Sequence, residues 1–259
     1  MYVLGLDVGS ASSKVVILDE DKNIVSSSVV QVGTGSSGPT RALDEALGKI
    51  NLTLDDMDKI VATGYGRYAF ERADKQISEI SCHAKGIFHL IPTARTIIDI
   101  GGQDAKAIRL DSRGTVSQFF MNDKCAAGTG RFLEVMARVL EIKLEELADY
   151  DSRATEVVNV SSTCTVFAES EVISHLSNNI PKENIIAGIH ASVASKACGL
   201  AYRTGLEDDI VMGGGVAQNA GVVRAISREL RRPVIVAPNP QITGALGAAL
   251  FAYDEAKKH

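Results

Sequence analysis

The chain has 259 residues, 45% of them hydrophobic and 23% charged, with a formal net charge of −5. That length supports a substantial core in one large or two modest domains, and the balance is that of an ordinary globular protein. The acidic excess argues against a dedicated nucleic-acid binder, and the longest apolar stretch noted, residues 244–253, is too short for a membrane span.

The first residues reach a charge at Asp7 with no basic leader, so they do not read as a signal peptide, and the chain is expected to be cytoplasmic. Val3–Leu6 predicts a first strand and Val15–Leu18 a second. A polar turn at residues 19–23 leads to a third strand from Ile24 to about Val32. The loop Gly33–Pro39 ends at a helix from Arg41 to Ile50, with Leu43, Ala46, Leu47 and Ile50 at helical spacing. A strand at Ile60–Thr63 and Gly64-Tyr-Gly66 follow, then a helix from Glu79 to Leu90 punctuated by Pro92.

The pattern then restarts, with strands before Asp99, at Ala107–Leu110 and at about Val116–Phe120. An insert from Met121 to about Val160 carries a helix over Gly130–Glu141, its apolar stripe formed by Phe132, Leu133, Met136, Val139 and Leu140. Helices over Thr165–Leu176 and Ile185–Thr204 come next, then a strand at Ile210–Met212. Gly213–Gly215 opens onto a helix from about Ala217 to Leu230, with a strand at Pro233–Ala237 and a closing helix at Gly244–Lys257.

Within this order one arrangement occurs twice. Asp7-Val-Gly-Ser-Ala-Ser-Ser-Lys14 is matched by Asp99-Ile-Gly-Gly-Gln-Asp-Ala-Lys106, with Asp, Gly and Lys in register. Each copy joins two short hydrophobic runs, which reads as strand, tight turn, strand. Gly and Ser in such a turn leave backbone N–H groups able to form an anion-binding concavity, and an Asp at the strand end can face a metal ion or water. One such turn is commonly an ordinary hairpin. Two in register would clamp a nucleotide's phosphate chain from both sides. The order βββαβα, then βββα with insertions, then βα and a last helix, predicts two similar α/β lobes with a cleft between them. They divide as residues 1–94 plus the closing helix at about 244–257, and residues 95–243, with a hinge near 92–96.

The cysteines, Cys82, Cys125, Cys164 and Cys198, form no C-x-x-C pair, and a disulfide framework is not expected in a cytosolic protein. Cys125 lies just before Ala126-Ala-Gly-Thr-Gly130 and the helix there, with Lys124 adding positive charge. Cys164 follows Ser161-Ser-Thr163, a run of potential N-caps, and immediately precedes its own helix. Free N–H groups and the dipole at a helix start stabilise a thiolate or a negatively charged iron–sulfur centre. Cys198, in an apolar helix, reads as a buried hydrophobe. Cys82 beside His83 could hold a metal, but successive helical residues point about 100° apart, which favours core packing. A monomeric cluster using all four cysteines is the rival arrangement.

These residues carry a resemblance. The two hairpins, with Val211-Met-Gly-Gly-Gly-Val-Ala-Gln-Asn219 as a third nucleotide loop, resemble the actin/Hsp70/sugar-kinase ATPase superfamily. Asn122-Asp-Lys-Cys-Ala-Ala-Gly-Thr-Gly-Arg131 and Ser161-Ser-Thr-Cys-Thr-Val-Phe-Ala-Glu-Ser-Glu171 narrow it, making essentially the whole chain similar to the activators of 2-hydroxyacyl-CoA dehydratases, a BadF/BadG/BcrA/BcrD type of ATPase. The resemblance implies a two-lobed actin-like α/β fold and an oxygen-sensitive homodimer. One [4Fe-4S] cluster would be held by Cys125 and Cys164 of each subunit. ATP hydrolysis would change the angle between the cluster-bearing helices. One low-potential electron from ferredoxin or flavodoxin would pass to the dehydratase and start a ketyl-radical elimination of water, in anaerobic amino-acid fermentation.

At the nucleotide, Gly9, Ser10, Ala11, Ser12, Ser13 and Lys14 are expected around the phosphates, with Gly101, Gly102 and Gln103 as the opposite jaw. Asp7 and Asp99 are the carboxylates for Mg²⁺, through water, since that ion keeps its hydration. Gln103 or Asp104 would orient the attacking water, and the sequence does not choose between them. Gly213, Gly214, Gly215, Gln218 and Asn219 should border the adenosine, with Gln241 near the base. The competing functions are an ATP-binding subunit of a benzoyl-CoA reductase-type enzyme, a small-molecule kinase of the same fold, and a non-catalytic ATP-gated iron–sulfur sensor. Neither a nucleic acid nor a membrane is expected as a partner.

Overall fold

Every residue of Val3–Val8 is buried, which marks this segment as the central strand of a sheet covered on both faces. The computed structural model describes residues 1–161 and 164–258. In chain order its elements begin with β1 (Val3–Val8), β2 (Ser13–Leu18), β3 (Ile24–Val30), α1 (Gly38–Gly48), β4 (Lys59–Thr63), β5 (Lys75–Gln76) and α2 (Glu79–Leu90). The second half starts with β6 (Thr96–Ile100), β7 (Ala105–Leu110), β8 (Val116–Asn122), α3 (Gly130–Val139), α4 (Leu147–Ser152), α5 (Thr165–Ser177) and α6 (Lys182–Thr204). It ends with β9 (Ile210–Gly213), α7 (Ala220–Leu230), β10 (Val234–Val236) and α8 (Thr243–Ala256).

Two five-stranded sheets result, ordered β3-β2-β1-β4-β5 and β10-β9-β6-β7-β8. β1 runs antiparallel to β2 and parallel to β4; β6 runs antiparallel to β7 and parallel to β9. Read outward from the first strand of each half, the two orders are the same. The repeat in the sequence is therefore a repeat of topology, and the mixed α/β fold with duplicated cores follows from it. The chain divides into two compact units, one of residues 1–94, 110–116 and 237 onward, the other of residues 95–109 and 117–236.

In the first unit, alternate residues of β1 face opposite cores. Leu4, Leu6 and Val8 join Val15, Ile17 and the α1 residues Ala42, Leu43, Ala46 and Leu47. Val3, Val16 and Leu18 face Ala245, Leu246, Ala248 and Ala249 of α8. The Gly/Ala-rich sequence of α8 has a steric cause. A Cβ on Gly5 would lie 2.1 Å from the Ala245 carbonyl oxygen, and one on Gly247 would lie 1.7 Å from that of Cys82, so the helix backbone lies directly on β1 and α2. In the second unit, Ile98, Ile100, Ala107 and Met212 pack beneath Phe132, Leu133 and Met136 of α3 and the buried residues of α6.

Several boundaries depart from the expected ones for identifiable reasons. α1 starts at Gly38 because Pro39 fits the first helical turn, where no N–H is needed. α6 starts at Lys182, directly after Pro181. The expected helix from Ala217 is instead a 3-10 turn over Gly215–Gln218, and α7 begins only after Asn219, whose side chain caps it by accepting from the Gly221 and Val222 N–H groups. The two-residue β5 and the one-turn-and-a-half α4 carry too few residues for a periodic pattern and were not anticipated. Among the described residues α6, not the closing helix, is the segment long and apolar enough to cross a membrane, and 67% of its most apolar window is buried inside the fold. It is a core helix.

Candidate functional site

The two hairpins repeat down to single atoms. Asp7 pairs across the strands with Lys14, and Asp99 with Lys106. The Lys14 Nζ lies 3.1 Å from Asp7 Oδ2, and the Lys106 Nζ 3.2 Å from Asp99 Oδ2. Each turn is closed by the same backbone bond: Gly9 N–H donates to the Ser12 carbonyl at 3.0 Å, and Gly101 N–H to the Asp104 carbonyl at 2.9 Å. The residues between, Ser10 and Ala11 in one turn and Gly102 and Gln103 in the other, stand at least partly exposed. Both carboxylates are buried, Asp7 at 4% exposure and Asp99 at 2%, each with a lysine as its counter-charge.

A second equivalence was not read from the sequence. Gly64 follows β4 and Gly214 follows β9, both with positive φ, +86° and +80°. A Cβ on Gly64 would lie 2.6 Å from the Val8 carbonyl oxygen, and one on Gly214 would lie 2.3 Å from that of Ile100. Each glycine thus lets the chain leaving the fourth strand of its half cross the end of the first strand at backbone contact. The signal was present as Gly64-Tyr-Gly66 and Gly213-Gly-Gly215, at matching places in the repeat.

The remaining candidates divide by environment. Ser13 is fully buried and its hydroxyl donates to the Val32 carbonyl at 2.9 Å, so its side chain serves the fold. Gln103 is exposed, whereas the Asp104 carboxylate is engaged by Lys106. In the second unit Gly213 and Gly214 are buried, Gly215 and Asn219 half-buried and Gln218 exposed. Gln241 lies in a 3-10 turn over Pro240–Ile242 in the first unit, leading into α8.

The second hairpin is tied to the segment carrying Cys125. Gly130 N–H donates to the Gly101 carbonyl at 2.9 Å and Arg131 N–H to the Gly102 carbonyl at 2.8 Å, so the start of α3 is anchored on the turn itself. Cys125 lies half-buried between β8 and α3, its carbonyl accepting from the Asn122 side chain at 2.8 Å. Cys164 is the N-cap residue of α5, half-buried, and its side chain makes no capping bond. Ser162 and Thr163, expected as caps there, lie outside the described residues. α3 and α5 pack against each other.

The other two cysteines differ in kind. Burial pushes the thiols of Cys82 and Cys198 up to about 12, which removes the thiolate on which reactivity depends. Iodoacetamide on the folded, metal-free protein is therefore expected to label Cys125 and Cys164 and to spare Cys82 and Cys198. Peptide mapping reads this directly, and labelling of Cys82 at a comparable rate would contradict the packing described.

The duplicated sheet and the paired Asp–Lys hairpins define an actin-like ATPase fold. A ROK family glucokinase from Streptomyces griseus, in complex with glucose and AMPPNP, shares it at a TM-score of 0.60 and 14% identity, over 98% of this chain and all of that one, a likeness of fold alone. The family described as the BadF/BadG/BcrA/BcrD ATPase family matches residues 4–252, and the chain belongs to it. It is 70% identical over 258 residues, the full length of both proteins, to an activator of lactoyl-CoA dehydratase from Anaerotignum propionicum. The activator of the 2-hydroxyisocaproyl-CoA dehydratase from Clostridium difficile with bound ADPNP superposes at a TM-score of 0.97 with 55% identity, over 100% of this chain and 96% of that one.

Proposed function

We propose that this chain is an ATP-dependent activator of a 2-hydroxyacyl-CoA dehydratase, acting as its one-electron donor. The two compact units serve as its lobes. Asp7 and Asp99 hold Mg²⁺ through water, Gly9–Ser12, Lys14 and Gly101–Gln103 take the phosphates, and Gly213–Gly215, Gln218, Asn219 and Gln241 take the adenosine. The exposed Gln103, rather than the lysine-bound Asp104, is assigned to orienting the attacking water.

Cys125 and Cys164 fit one half of a four-thiolate ligand set, which two copies of the chain complete. Three observations support this. No group of three or more His, Cys, Asp or Glu able to hold a metal occurs among the described residues, which weighs against the four-cysteine monomeric arrangement. The only other thiols, those of Cys82 and Cys198, are buried. Val166, Phe167 and Ile173 on α5, just past Cys164, are 64%, 63% and 50% exposed and offer apolar surface to a second copy. Bound there, a [4Fe-4S] cluster would supply the low-potential electron, replenished from ferredoxin or flavodoxin in an oxygen-poor cytoplasm.

The protein's own part is positional. Cys164 occupies the N-cap of α5, where the first N–H groups and the helix dipole favour negative charge. Backbone bonds from Gly130 and Arg131 carry any movement of the phosphate turn into α3, and through its packing to α5. The observation that carries the reading is Cys164, a cap-position thiol with no capping bond, in a chain that already holds duplicated phosphate hairpins. Native mass spectrometry of protein purified without oxygen tests it. A dimer carrying the mass of one four-iron, four-sulfide cluster is expected; an iron-free monomer that still binds ATP would return the kinase reading to first place.

A further inference from the structure

The nucleotide loop of the second unit ends on a buried polar relay that no sequence motif announces. His190 of α6 is fully buried. Its Nε2 lies 3.2 Å from the Asn219 Nδ2, and its Nδ1 lies 3.1 Å from Asp151 Oδ1 on α4, an electrostatic contact outside hydrogen-bond geometry. The other Asp151 oxygen accepts from Arg224 Nη2 of α7 at 2.6 Å. Burial pushes the Asp151 carboxyl up, but the neighbouring His190 ring and the Arg224 guanidinium outweigh it and leave it below the ordinary carboxylate range.

The cap on α7 fixes the direction of this relay. Asn219 Oδ1 accepts from the Gly221 and Val222 N–H groups at 2.9 and 3.2 Å, so the amide nitrogen is the atom facing the imidazole. An amide nitrogen only donates, so Nε2 must be the bare, accepting nitrogen and the ring proton sits on Nδ1, toward Asp151. Turning the amide over would set its NH₂ against two backbone N–H donors. Gly221 leaves room for the ring, since a Cβ there would lie 2.4 Å from His190 Cε1.

We propose that His190 is a positioning residue for nucleotide binding: as the Nδ1–H tautomer, with its Nδ1 facing Asp151, it fixes the Asn219 amide and through it the Gly213–Asn219 loop. This rests on the reading of that loop as the adenosine site. A phenylalanine fills the ring's space without an acceptor, whereas the amide oxygen of a glutamine reaches the position of Nε2. His190→Phe is therefore expected to weaken ADPNP binding to the holoprotein about tenfold, a loss of the size typical for a helix cap, and His190→Gln to recover most of it. Calorimetric titration with ADPNP reads both, and ¹⁵N NMR of histidine-labelled wild type reads the tautomer. Should His190→Phe fail to fold, the tautomer and the His190→Gln affinity decide. Wild-type affinity in folded His190→Phe, or a proton on Nε2, would overturn the inference alone. Failure of the wild type to bind ADPNP would overturn the adenosine reading and this assignment with it.

Discussion

Replacing Cys164 by alanine should abolish iron binding and dehydratase activation while leaving ATP binding within about twofold of the wild type. The separation of effects follows from where the residue sits. Its side chain makes no capping hydrogen bond, so alanine removes no support from α5, and the residue is only half-buried. In a homodimer the substitution removes two of four ligands at once. Disturbing an outer-sphere partner of a metal typically costs 10–100-fold, and loss of ligands from both subunits should exceed about 100-fold in activation. Iron and sulfide content, ADPNP affinity and electron delivery to a purified dehydratase measure the three properties separately. Cys82→Ala is the matched control. It lies buried under α8 and is expected to retain full iron, where loss would revive the four-cysteine arrangement. Cys164→Ala with full iron and full activation would end the shared-cluster reading.

Much of this architecture was legible because the chain repeats itself. Asp7, Gly9 and Lys14 recur as Asp99, Gly101 and Lys106, and the register of each hairpin pairs that Asp with that Lys. Strands buried on both faces and helices with clear apolar stripes announced themselves by composition and period, as β1 and α3 do. What stayed hidden depends on contacts distant in sequence. The helix expected from about Ala217 begins only at Ala220, because Asn219 caps α7 beside His190, a residue of α6 that reads locally as one more position on an apolar helix. The anchoring of α3 on Gly101 and Gly102 is made by backbone N–H groups, which leave no trace in side-chain pattern. Ser13 was assigned to the phosphates by its place in a Ser-rich run, but β2 begins there and turns the hydroxyl toward Val32.

The duplication also supplies an internal comparison for the largest stability effect. Lys106→Met keeps most of the side-chain length but removes the cation from Asp99 and Asp104. Lys106 and Asp99 are 3% and 2% exposed at the side chain, so the carboxylate left behind is buried and loses the ammonium group paired with it. Breaking such a pair by removing one member costs about 3–5 kcal/mol. In a domain of this size that lowers the melting midpoint on the order of 10 °C. Lys14 makes the same cross-strand pair with Asp7 at nearly the same distance, but its side chain is 16% exposed, so water reaches the gap that Lys14→Met would leave. The loss there should be smaller, about 1–3 kcal/mol. Thermal melting of the two nucleotide-free variants measures both losses. Equal losses at Lys14 and Lys106 would mean that burial is not what separates the two halves of the repeat, and a wild-type midpoint for Lys106→Met would mean that the buried pair contributes nothing to the second unit.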